Sequence, residues 1–372
     1  MTGTDLDKLT LSPFISSELM SKVAVAMSGG VDSSVAAALL KQQGYDVSGV
    51  MLRLWSQPGK EDSNRCCTPD SLALARRVAA KLDIPFYVVD AKDIFRNTVV
   101  QFFIDEYARG VTPNPCLVCN RRIRWEFLLN HALALGADFL ATGHYARKQK
   151  DKGGRMKLLR GVDRSKDQSY VLYVLDQEKL ARALFPNGEY EKTQIRRLAE
   201  SLGLPTASRA DSQDLCFLAG EDYRDFLRRN APRVGVPGQI ITLQGDVLGE
   251  HQGLAFYTIG QRKGLGLSSP HPLYVIAKDP LRNTLTVGLQ DELGSDALTV
   301  VDVNWITGEP PAGPFRAEVK IRYNARVAWA EVTPLNGGQA KVRFDEPQRG
   351  ITAGQAAVFY DGDLVLGGGI IV

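Results

Sequence analysis

A loop rich in glycine and hydroxyl groups, SGGVDSS, occupies residues 28–34 between an apolar run and an apolar helix. Backbone N–H groups and serine hydroxyls at a helix N-terminus favour an anion, because the helix dipole is positive there. The loop lacks the lysine of a Walker A loop and the third glycine of a dinucleotide fingerprint. A tight turn in which Asp32 and the serines only cap the helix is the structural alternative. We therefore predict a phosphate-binding loop of another type.

Two cysteines three positions apart, Cys116 and Cys119, stand in the stretch TPNPCLVCNRRIRW. We expect Cys119 at the start of a helix that carries three arginines, where the dipole and the guanidinium groups favour the thiolate form. This environment makes Cys119 the candidate nucleophile. Taken alone, the pair also fits a redox motif or half of a metal site, and an inert buried cysteine is the plainest interpretation.

The other cysteines carry less information by themselves. Cys216, in the stretch DSQDLCFLAG, would be assigned to the core, and Cys66 and Cys67 are expected to begin a helix. The total of five is odd, and residues 1–20 lack the basic start and the apolar core of a signal peptide. Both observations argue against a disulfide framework and leave reactive or metal-binding thiols as the question.

Short apolar strands alternate with helical patterns through the first half of the chain. Predicted strands lie near Val23–Ala26, Val47–Leu52, Phe86–Val89 and Phe139–Thr142. Predicted helices lie near Val35–Gln43, Leu72–Leu82, Asp93–Arg109, Asn120–Leu135, Asp176–Ala183 and Lys192–Leu202. This alternation predicts a parallel sheet covered by helices on both faces. Ligands bind such sheets at the carboxyl ends of the strands, which is where the SGGVDSS loop lies.

After Pro232 the sequence changes to short β-rich segments broken by glycine and proline. Strands at this spacing indicate small β domains, of which the last is barrel-like. We predict an α/β chain with an N-terminal parallel-sheet domain at 1–221, a small β-rich domain at 222–293 and a barrel-like domain at 294–372.

The composition is that of a globular protein, with 44% hydrophobic and 23% charged residues in a chain of 372. No run of about 18 consecutive apolar residues occurs, so we expect no membrane-spanning helix and a cytoplasmic location. The net charge of +3 does not demonstrate nucleic-acid binding, because a balanced chain can still concentrate basic residues on one face.

The SGGVDSS loop resembles the signature of the PP-loop ATP pyrophosphatases. This resemblance implies an adenine nucleotide alpha-hydrolase-like domain that binds ATP, cuts it between the α and β phosphates and passes AMP to an oxygen of a second substrate. It also implies that Asp32 lies near a magnesium ion bound with ATP. The residues placed around ATP are Ala26, Met27, Ser28, Gly29, Gly30, Val31, Asp32 and Ser33.

Further motifs follow the loop in a fixed order. CxxC at 116–119, KDQSY at 166–170, SQDLCFL at 212–218 and TIGQRKGLG at 258–266 together resemble the bacterial tRNA-specific 2-thiouridylase family, over roughly residues 20–372. The resemblance implies adenylation of the 2-oxygen of the wobble uridine of tRNA and its replacement by sulfur. It makes Cys119 the nucleophile and Cys216 the carrier of a persulfide, and it implies that the two can form a disulfide after sulfur is released.

The resemblance also assigns contacts that the residues alone would not reveal. It places Asn114, Pro115 and Cys116 at the flipped target base, and Leu52 and Gly143 at the adenosine of ATP. It places Lys166, Asp167, Gln168, Arg322 and Tyr323 at tRNA, although without it a polar turn and an exposed strand would be the preferred interpretations. The implied partners are tRNAs for Lys, Glu and Gln and a sulfur donor, either a cysteine desulfurase or a sulfur relay protein.

One position departs from a common form of the family. Some members have an aspartate, proposed to assist the chemistry, where this chain has Cys116, so the general-base role is in doubt here. Three thiols could then meet, which is the ligand count of the related iron–sulfur-dependent tRNA thiolases.

Two rival functions remain compatible with the phosphate loop. One is a PP-loop ligase or amidotransferase that acts on a small molecule, and such an enzyme needs no reactive thiols. The second is a nucleotide-gated tRNA-binding protein without catalysis, against which the phosphate loop and both thiols argue.

Overall fold

Three sheets organise the chain in a computed structural model that describes residues 21–57, 59, 68–210 and 215–372. The strands of the N-terminal half are β1 Lys22–Ala26, β2 Asp46–Arg53, β3 Phe86–Asp90, β4 Phe139–Ala141, β5 Ala146–Lys150, β6 Met156–Arg160 and β7 Ala183–Leu184. Those that follow are β8 Gly238–Ile241, β9 Val247–His251, β10 Tyr274–Asp279, β11 Thr284–Gly288, β12 Gly294–Trp305, β13 Phe315–Lys320, β14 Ala328–Leu335, β15 Gln339–Arg349, β16 Ala356–Asp361 and β17 Leu364–Ile371.

The first sheet is parallel throughout, with the strand order β3-β2-β1-β4-β7. Its central strand β1 is buried along Val23–Val25, as expected of an apolar strand covered on both faces. The four predicted strands are confirmed as β1–β4. The short strand β7 was not predicted, because its two residues follow directly on a helix in the sequence.

Helices cover this sheet and continue into the second domain. Their bounds are Val31–Gln42, Pro69–Lys81, Lys92–Phe95, Arg96–Val100, Gln101–Ala108, Pro115–Val118, Cys119–Leu128, Leu129–Ala134, Ser169–Leu172, Gln177–Arg182, Lys192–Ser201 and Tyr223–Asn230. Single 3₁₀ turns occur at Pro186–Glu189, Cys216–Leu218, Pro232–Gly235, Leu254–Phe256 and Gln290–Glu292. Among the described residues, no helix is both long and apolar enough to cross a membrane.

Residues 115–134 form one continuous helical stretch, here called the cysteine helix. The prediction that it begins near Asn120, with Cys119 at its start, is wrong. Pro115 occupies the first helical position, where its fixed φ and its missing N–H cost nothing. Cys116 therefore lies in the first turn, and Cys119 lies one turn further along, where the helix dipole acts less strongly.

The second sheet has the order β10-β11-β8-β9, and the third closes on itself. In the third sheet β12, β15, β14, β13, β16 and β17 follow one another, and β12 pairs again with β17, which makes a closed six-stranded barrel. The α/β sheet followed by β-rich domains with a terminal barrel is confirmed.

The barrel also takes strands from the N-terminal half of the chain. The antiparallel hairpin β5–β6 pairs with the start of β17, before the residues that pair with β12: Leu158 pairs with Val365 and Leu159 with Leu364. The third sheet is therefore shared between the two halves of the chain.

A loop of the barrel holds the loop before the cysteine helix. Gln355 Nε2 donates to the carbonyl oxygens of Thr112 and Pro113 at 2.9 and 3.3 Å, and the Thr112 N–H donates to the Ala353 carbonyl at 3.2 Å. Between them Gly354 has φ +89°, and a β-carbon there would lie 2.4 Å from Val111 Cγ1. The approach of the two loops therefore requires glycine at position 354.

We predict that Gly354→Ala destabilises the protein by about 1–3 kcal/mol more than Gly362→Ala, because it adds a methyl group to a filled space. Gly362 is the matched control, since it also has positive φ, +56°, but a β-carbon there would meet nothing within 4 Å. Urea denaturation followed by fluorescence measures both variants. Equal losses of stability would contradict the tight contact between the loops.

Candidate functional site

The SGGVDSS loop is preformed by its own hydrogen bonds. Ser33 Oγ accepts from the Ser28 N–H at 3.2 Å and donates to the Gly30 carbonyl at 3.2 Å. Gly29 has φ +71°, and a β-carbon there would lie 2.4 Å from the Ser71 carbonyl oxygen. Arg209 donates to the Gly29 carbonyl at 2.7 Å and to Ser71 Oγ at 2.6 Å. The loop therefore keeps its shape, and glycine is required at position 29.

The helix Val31–Gln42, here called the loop helix, presents its N-terminus to a cavity of about 610 Å³. Its N-cap residue is Gly30, and among the described residues no side chain caps it. The first N–H groups of a helix have no partners within the helix, so they remain available to an anion in the cavity. The positive side chains of Arg124, Lys166, Lys192 and Arg209 also line this cavity and suit a polyphosphate.

Two side chains hold the carboxylate of Asp32, which lies in the first turn of the loop helix. Lys192 Nζ donates to both carboxylate oxygens at 2.7 and 2.8 Å, and the Tyr145 hydroxyl donates to Oδ1 at 2.7 Å. Lys192 is 8% exposed, so this ion pair is shielded from water more than a surface pair would be. The carboxylate stays about one-third exposed and can still meet a ligand.

Gly143 lies against the start of the loop helix. A β-carbon at Gly143 would come within 2.8 Å of backbone atoms of both Asp32 and Ser33. Asn187 Nδ2 joins the two segments, since it donates to the Asp32 carbonyl at 2.9 Å and to the Gly143 carbonyl at 3.2 Å. The end of β4 and the loop helix are therefore fixed relative to each other.

Most of the sequence-predicted site residues face this one cavity. Those that line it are Ala26, Met27, Ser28, Gly30, Val31, Asp32, Ser33, Leu52, Cys119, Gly143, Lys166, Gln168 and Tyr323. The cavity therefore joins the predicted phosphate loop, one candidate catalytic thiol and both predicted tRNA-contacting segments.

The other predicted residues lie around the cavity or beneath it. Cys116 is exposed, and it lies close enough to Tyr323 to contribute to the raised pKa of that phenol, about 12, whose main cause is burial. Asn114 lies near Tyr170, whose pKa is raised mainly by burial and is lowered slightly by Asn114, and the Tyr170 hydroxyl donates to the Ala356 carbonyl of the barrel at 3.0 Å. Gly29, Pro115 and Arg322 also stand outside the lining.

Asp167 is buried, and its carboxylate is occupied by hydrogen bonds within its own loop. Its oxygens accept from the backbone N–H groups of Gly161 and Ser169 at 3.0 and 3.1 Å and from Ser169 Oγ at 2.9 Å. The side chain shapes the loop that presents Lys166 and Gln168.

The two candidate catalytic thiols pack against the same apolar cluster. Cys119 comes from the cysteine helix and Cys216 from the 3₁₀ turn Cys216–Leu218, and the shared cluster includes Phe217 and Ile123. Ala219 and Gly220, which follow that turn, both have positive φ, +53° and +81°. The predictions for Cys66 and Cys67, and residues 211–214 of the Cys216 motif, lie outside the described residues.

An iron–sulfur site would need its ligands brought together. Among the described residues, which include Cys116, Cys119 and Cys216, no group of three or more His, Cys, Asp or Glu side chains is placed to hold a metal ion. The three thiols therefore do not form a ligand set in this arrangement.

Sequence analysis missed a chain of hydrogen bonds among three side chains that line the cavity, Arg124, His144 and Thr142. His144 Nε2 accepts from the Arg124 guanidinium at 2.9 Å, so Nδ1 carries the proton and donates to Thr142 Oγ1 at 2.7 Å. Burial, and secondarily the charge of Arg124, lower the pKa of His144 well below its usual value. The neutral imidazole thus orients the Arg124 guanidinium beside the cavity. The signal was present in the sequence, since ATGHY directly follows the predicted strand β4.

Other residues missed at the site come from distant parts of the chain. Lys192 and Asn187 follow Asp32 by 160 and 155 positions, and Arg209 follows Gly29 by 180. No local motif marks these three side chains. Their roles became visible only once the fold had brought them to the loop.

Comparison with known protein families gives three consecutive matches. Residues 21–220 match a family model described as a tRNA methyl transferase HUP domain, and residues 224–289 match a tRNA methyl transferase PRC-barrel domain. Residues 295–371 match an aminomethyltransferase beta-barrel domain. The three matches cover nearly all of the described chain.

Full-length relatives are similar over almost the whole chain. The tRNA-specific 2-thiouridylase MnmA of Moorella thermoacetica is 52% identical over 351 residues, which cover 93% of this chain and 98% of that protein. The tRNA-specific 2-thiouridylase MnmA of Magnetococcus marinus is 50% identical over 353 residues, covering 94% and 99%. That of Roseiflexus castenholzii is 48% identical over 370 residues, covering 95% and 99%.

The lowered pKa of His144 predicts a loss of stability in acid. Below about pH 6.5 the unfolded chain binds a proton at this imidazole and the folded protein does not, so the free energy of unfolding falls as pH falls. Between pH 7.5 and 5.5 the wild type should lose about 1.4 kcal/mol more than His144→Gln. Urea titrations of both proteins at the two pH values measure this difference, and equal losses would contradict a neutral His144.

Proposed function

The chain belongs to the tRNA-specific 2-thiouridylase family, and on that premise we propose that it transfers sulfur to C2 of the wobble uridine, position 34, of tRNA in an ATP-dependent reaction. The products are 2-thiouridine, AMP and pyrophosphate. The observation that carries the proposal is the shared cavity, which is lined by the phosphate loop, by the Cys119 thiol and by Lys166 and Tyr323 from the two tRNA segments.

The chemistry requires both ATP and a sulfur nucleophile. The 2-oxygen of uridine is a very poor leaving group, and attack of this oxygen on the α-phosphorus of ATP converts it into a phosphate ester while pyrophosphate leaves. The N–H groups at the start of the loop helix, together with Lys192 and Arg209, would stabilise the departing negative charge. Leu52 and Gly143 would border the adenosine.

The residues around Asp32 fit a magnesium ion bound with ATP. A carboxylate oxygen is a ligand that magnesium prefers, and the ion commonly binds through one or two carboxylates together with substrate phosphates. Asp32 is partly exposed at the phosphate loop and would hold the ion there. The ion would supply positive charge for the phosphate oxygens.

Two thiols would complete the exchange of oxygen for sulfur. The terminal sulfur of a Cys216 persulfide attacks C2, the bond from C2 to the adenylated oxygen breaks, and AMP leaves. The Cys119 thiolate then attacks the γ-sulfur of Cys216, which leaves the transferred sulfur on C2 and joins the two cysteines in a disulfide. An external thiol reductant restores both thiols. Their packing on one apolar cluster supports this pairing.

The tRNA must present an unstacked uridine to the cavity, as enzymes that modify a base generally require. We propose that Asn114, Pro115 and Cys116 border the target base, and that Lys166, Gln168, Arg322 and Tyr323 contact the surrounding tRNA. Wobble-uridine tRNAs for Lys, Glu and Gln are the proposed substrates.

We propose separate roles for the regions of the chain. ATP binding and catalysis belong to 1–221, the small domain is 222–293, and 294–372 contributes tRNA contacts. A cysteine desulfurase or a sulfur relay protein would supply the persulfide. We place the reaction in the cytoplasm, where tRNA is modified.

The rival functions explain fewer of the observations. A small-molecule PP-loop ligase needs neither a thiol in the nucleotide cavity nor the second thiol packed against the same cluster. A three-cysteine iron–sulfur enzyme needs Cys116 next to the other two thiols, and the described residues do not form that group.

The direct test incubates the protein with unmodified tRNA, ATP, magnesium and a low-molecular-weight persulfide, followed by mass spectrometry of the tRNA nucleosides. We expect 2-thiouridine in an amount that depends on ATP. Absence of 2-thiouridine with every persulfide donor would overturn the proposed function.

Matched cysteine variants test the two thiols separately. Cys216→Ser should accept no persulfide, whereas Cys119→Ser should accept it and fail to release 2-thiouridine, because only the second step is blocked. Persulfide-specific labelling with peptide mass spectrometry distinguishes the two outcomes.

Cys116→Ser is the control for these variants. If protein purified without oxygen contains stoichiometric iron that Cys116→Ser loses together with activity, the two-thiol mechanism is wrong and the three-cysteine mechanism replaces it.

A further inference from the structure

Two independent routes connect Asp32 with a single loop, residues 163–168. The first runs through Lys192. Its side-chain Nζ donates to both oxygens of the Asp32 carboxylate at 2.7 and 2.8 Å, and its backbone N–H donates to Asp163 Oδ2 at 2.9 Å. The Lys192 side chain is only 10% exposed, so its ammonium group is largely shielded from solvent at this ion pair.

The second route runs through Tyr145. Its hydroxyl donates to Asp32 Oδ1 at 2.7 Å, while its backbone N–H donates to Gln168 Oε1 at 3.0 Å and its carbonyl accepts from the Gln168 N–H at 2.8 Å. The two routes therefore reach opposite ends of the 163–168 loop.

The conformation of this loop depends on the two end residues. Asp163 Oδ1 accepts from the Ser165 N–H at 3.0 Å and from Ser165 Oγ at 2.6 Å, which fixes the turn before Lys166. Ser165, Lys166 and Gln168 line the same cavity as Asp32. Hydrogen bonds therefore link the Asp32 carboxylate to the loop that carries these cavity-lining side chains.

We propose that Lys192 and Tyr145 are positioning residues that couple nucleotide binding at the phosphate loop to tRNA binding by the 163–168 loop. The inference rests on the proposed function. Phosphates in the cavity add acceptors for the Lys192 ammonium group and fix both side chains more firmly. The loop is then ordered before tRNA arrives, so tRNA binding costs less conformational entropy.

Thermodynamic linkage makes the coupling reciprocal. If the nucleotide raises the affinity for tRNA by some factor, tRNA must raise the affinity for the nucleotide by the same factor. This equality distinguishes coupling from a nonspecific effect on either ligand alone.

The experiment uses the full chain, an unmodified substrate tRNA and magnesium with α,β-methylene-ATP, which cannot be cut between the α and β phosphates. The dissociation constant of tRNA is measured with and without the analogue, and that of the analogue with and without tRNA. For the wild type we expect both constants to fall by the same factor, about fivefold or more.

Three variants locate the coupling. In Lys192→Met the analogue should leave the dissociation constant of tRNA nearly unchanged, which is a coupling factor of about one. Asp163→Ala should do the same while leaving the affinity for the analogue unchanged, because the Lys192 side chain still grips Asp32. Tyr145→Phe, which removes only the hydroxyl, should lower the factor. Lys41→Met is the control on the exposed far end of the loop helix and should keep the wild-type factor.

A wild-type factor of one, or an unchanged factor in both Lys192→Met and Asp163→Ala, would overturn the coupling. Failure of the proposed function would look different. In that case the wild type would bind no tRNA or no nucleotide, and no 2-thiouridine would form.

Discussion

The functional arrangement depends on a close contact that excludes every side chain at position 143. The end of β4 reaches the first turn of the loop helix so closely that only a glycine fits between them. Asn187 holds the two backbones together by donating to a carbonyl of each. With that contact fixed, the next two residues take defined places. His144 reaches Arg124 and Tyr145 reaches Asp32, and all four residues line the cavity.

The small net charge of this protein conceals a local concentration of positive side chains. The net charge is only +3, yet Arg124, Lys166, Lys192 and Arg209 all line one cavity. Three of these cations are held by neighbouring groups: Lys192 by Asp32, Arg124 by the neutral His144, and Arg209 by the Gly29 carbonyl and Ser71. A site that handles polyphosphate and RNA therefore keeps its positive side chains ordered before either ligand binds.

Local sequence patterns were sufficient for the parallel sheet, for the strand–loop–helix order around SGGVDSS and for the β-rich second half. They failed at the start of the helix containing Cys119, which was predicted near Asn120 although Pro115 is a favourable first helical residue. They also gave no sign that backbone donors would surround the carboxylate of Asp167, because an aspartate in a polar motif is equally compatible with an exposed side chain. Lys192 could not be found at all, since its role depends on a contact between residues 160 positions apart.

The hairpin β5–β6 ties the N-terminal region to the C-terminal one, which a division of the chain into three regions does not show. It leaves the N-terminal half, pairs with the start of β17 and extends by two strands a sheet whose other strands come from the last quarter of the sequence. Removal of the barrel would uncover the edge of β6, and removal of the hairpin would uncover β17. The regions are therefore not independent modules. A gene fusion that replaced the last region would also need a hairpin that pairs with the new strand in the place of β17.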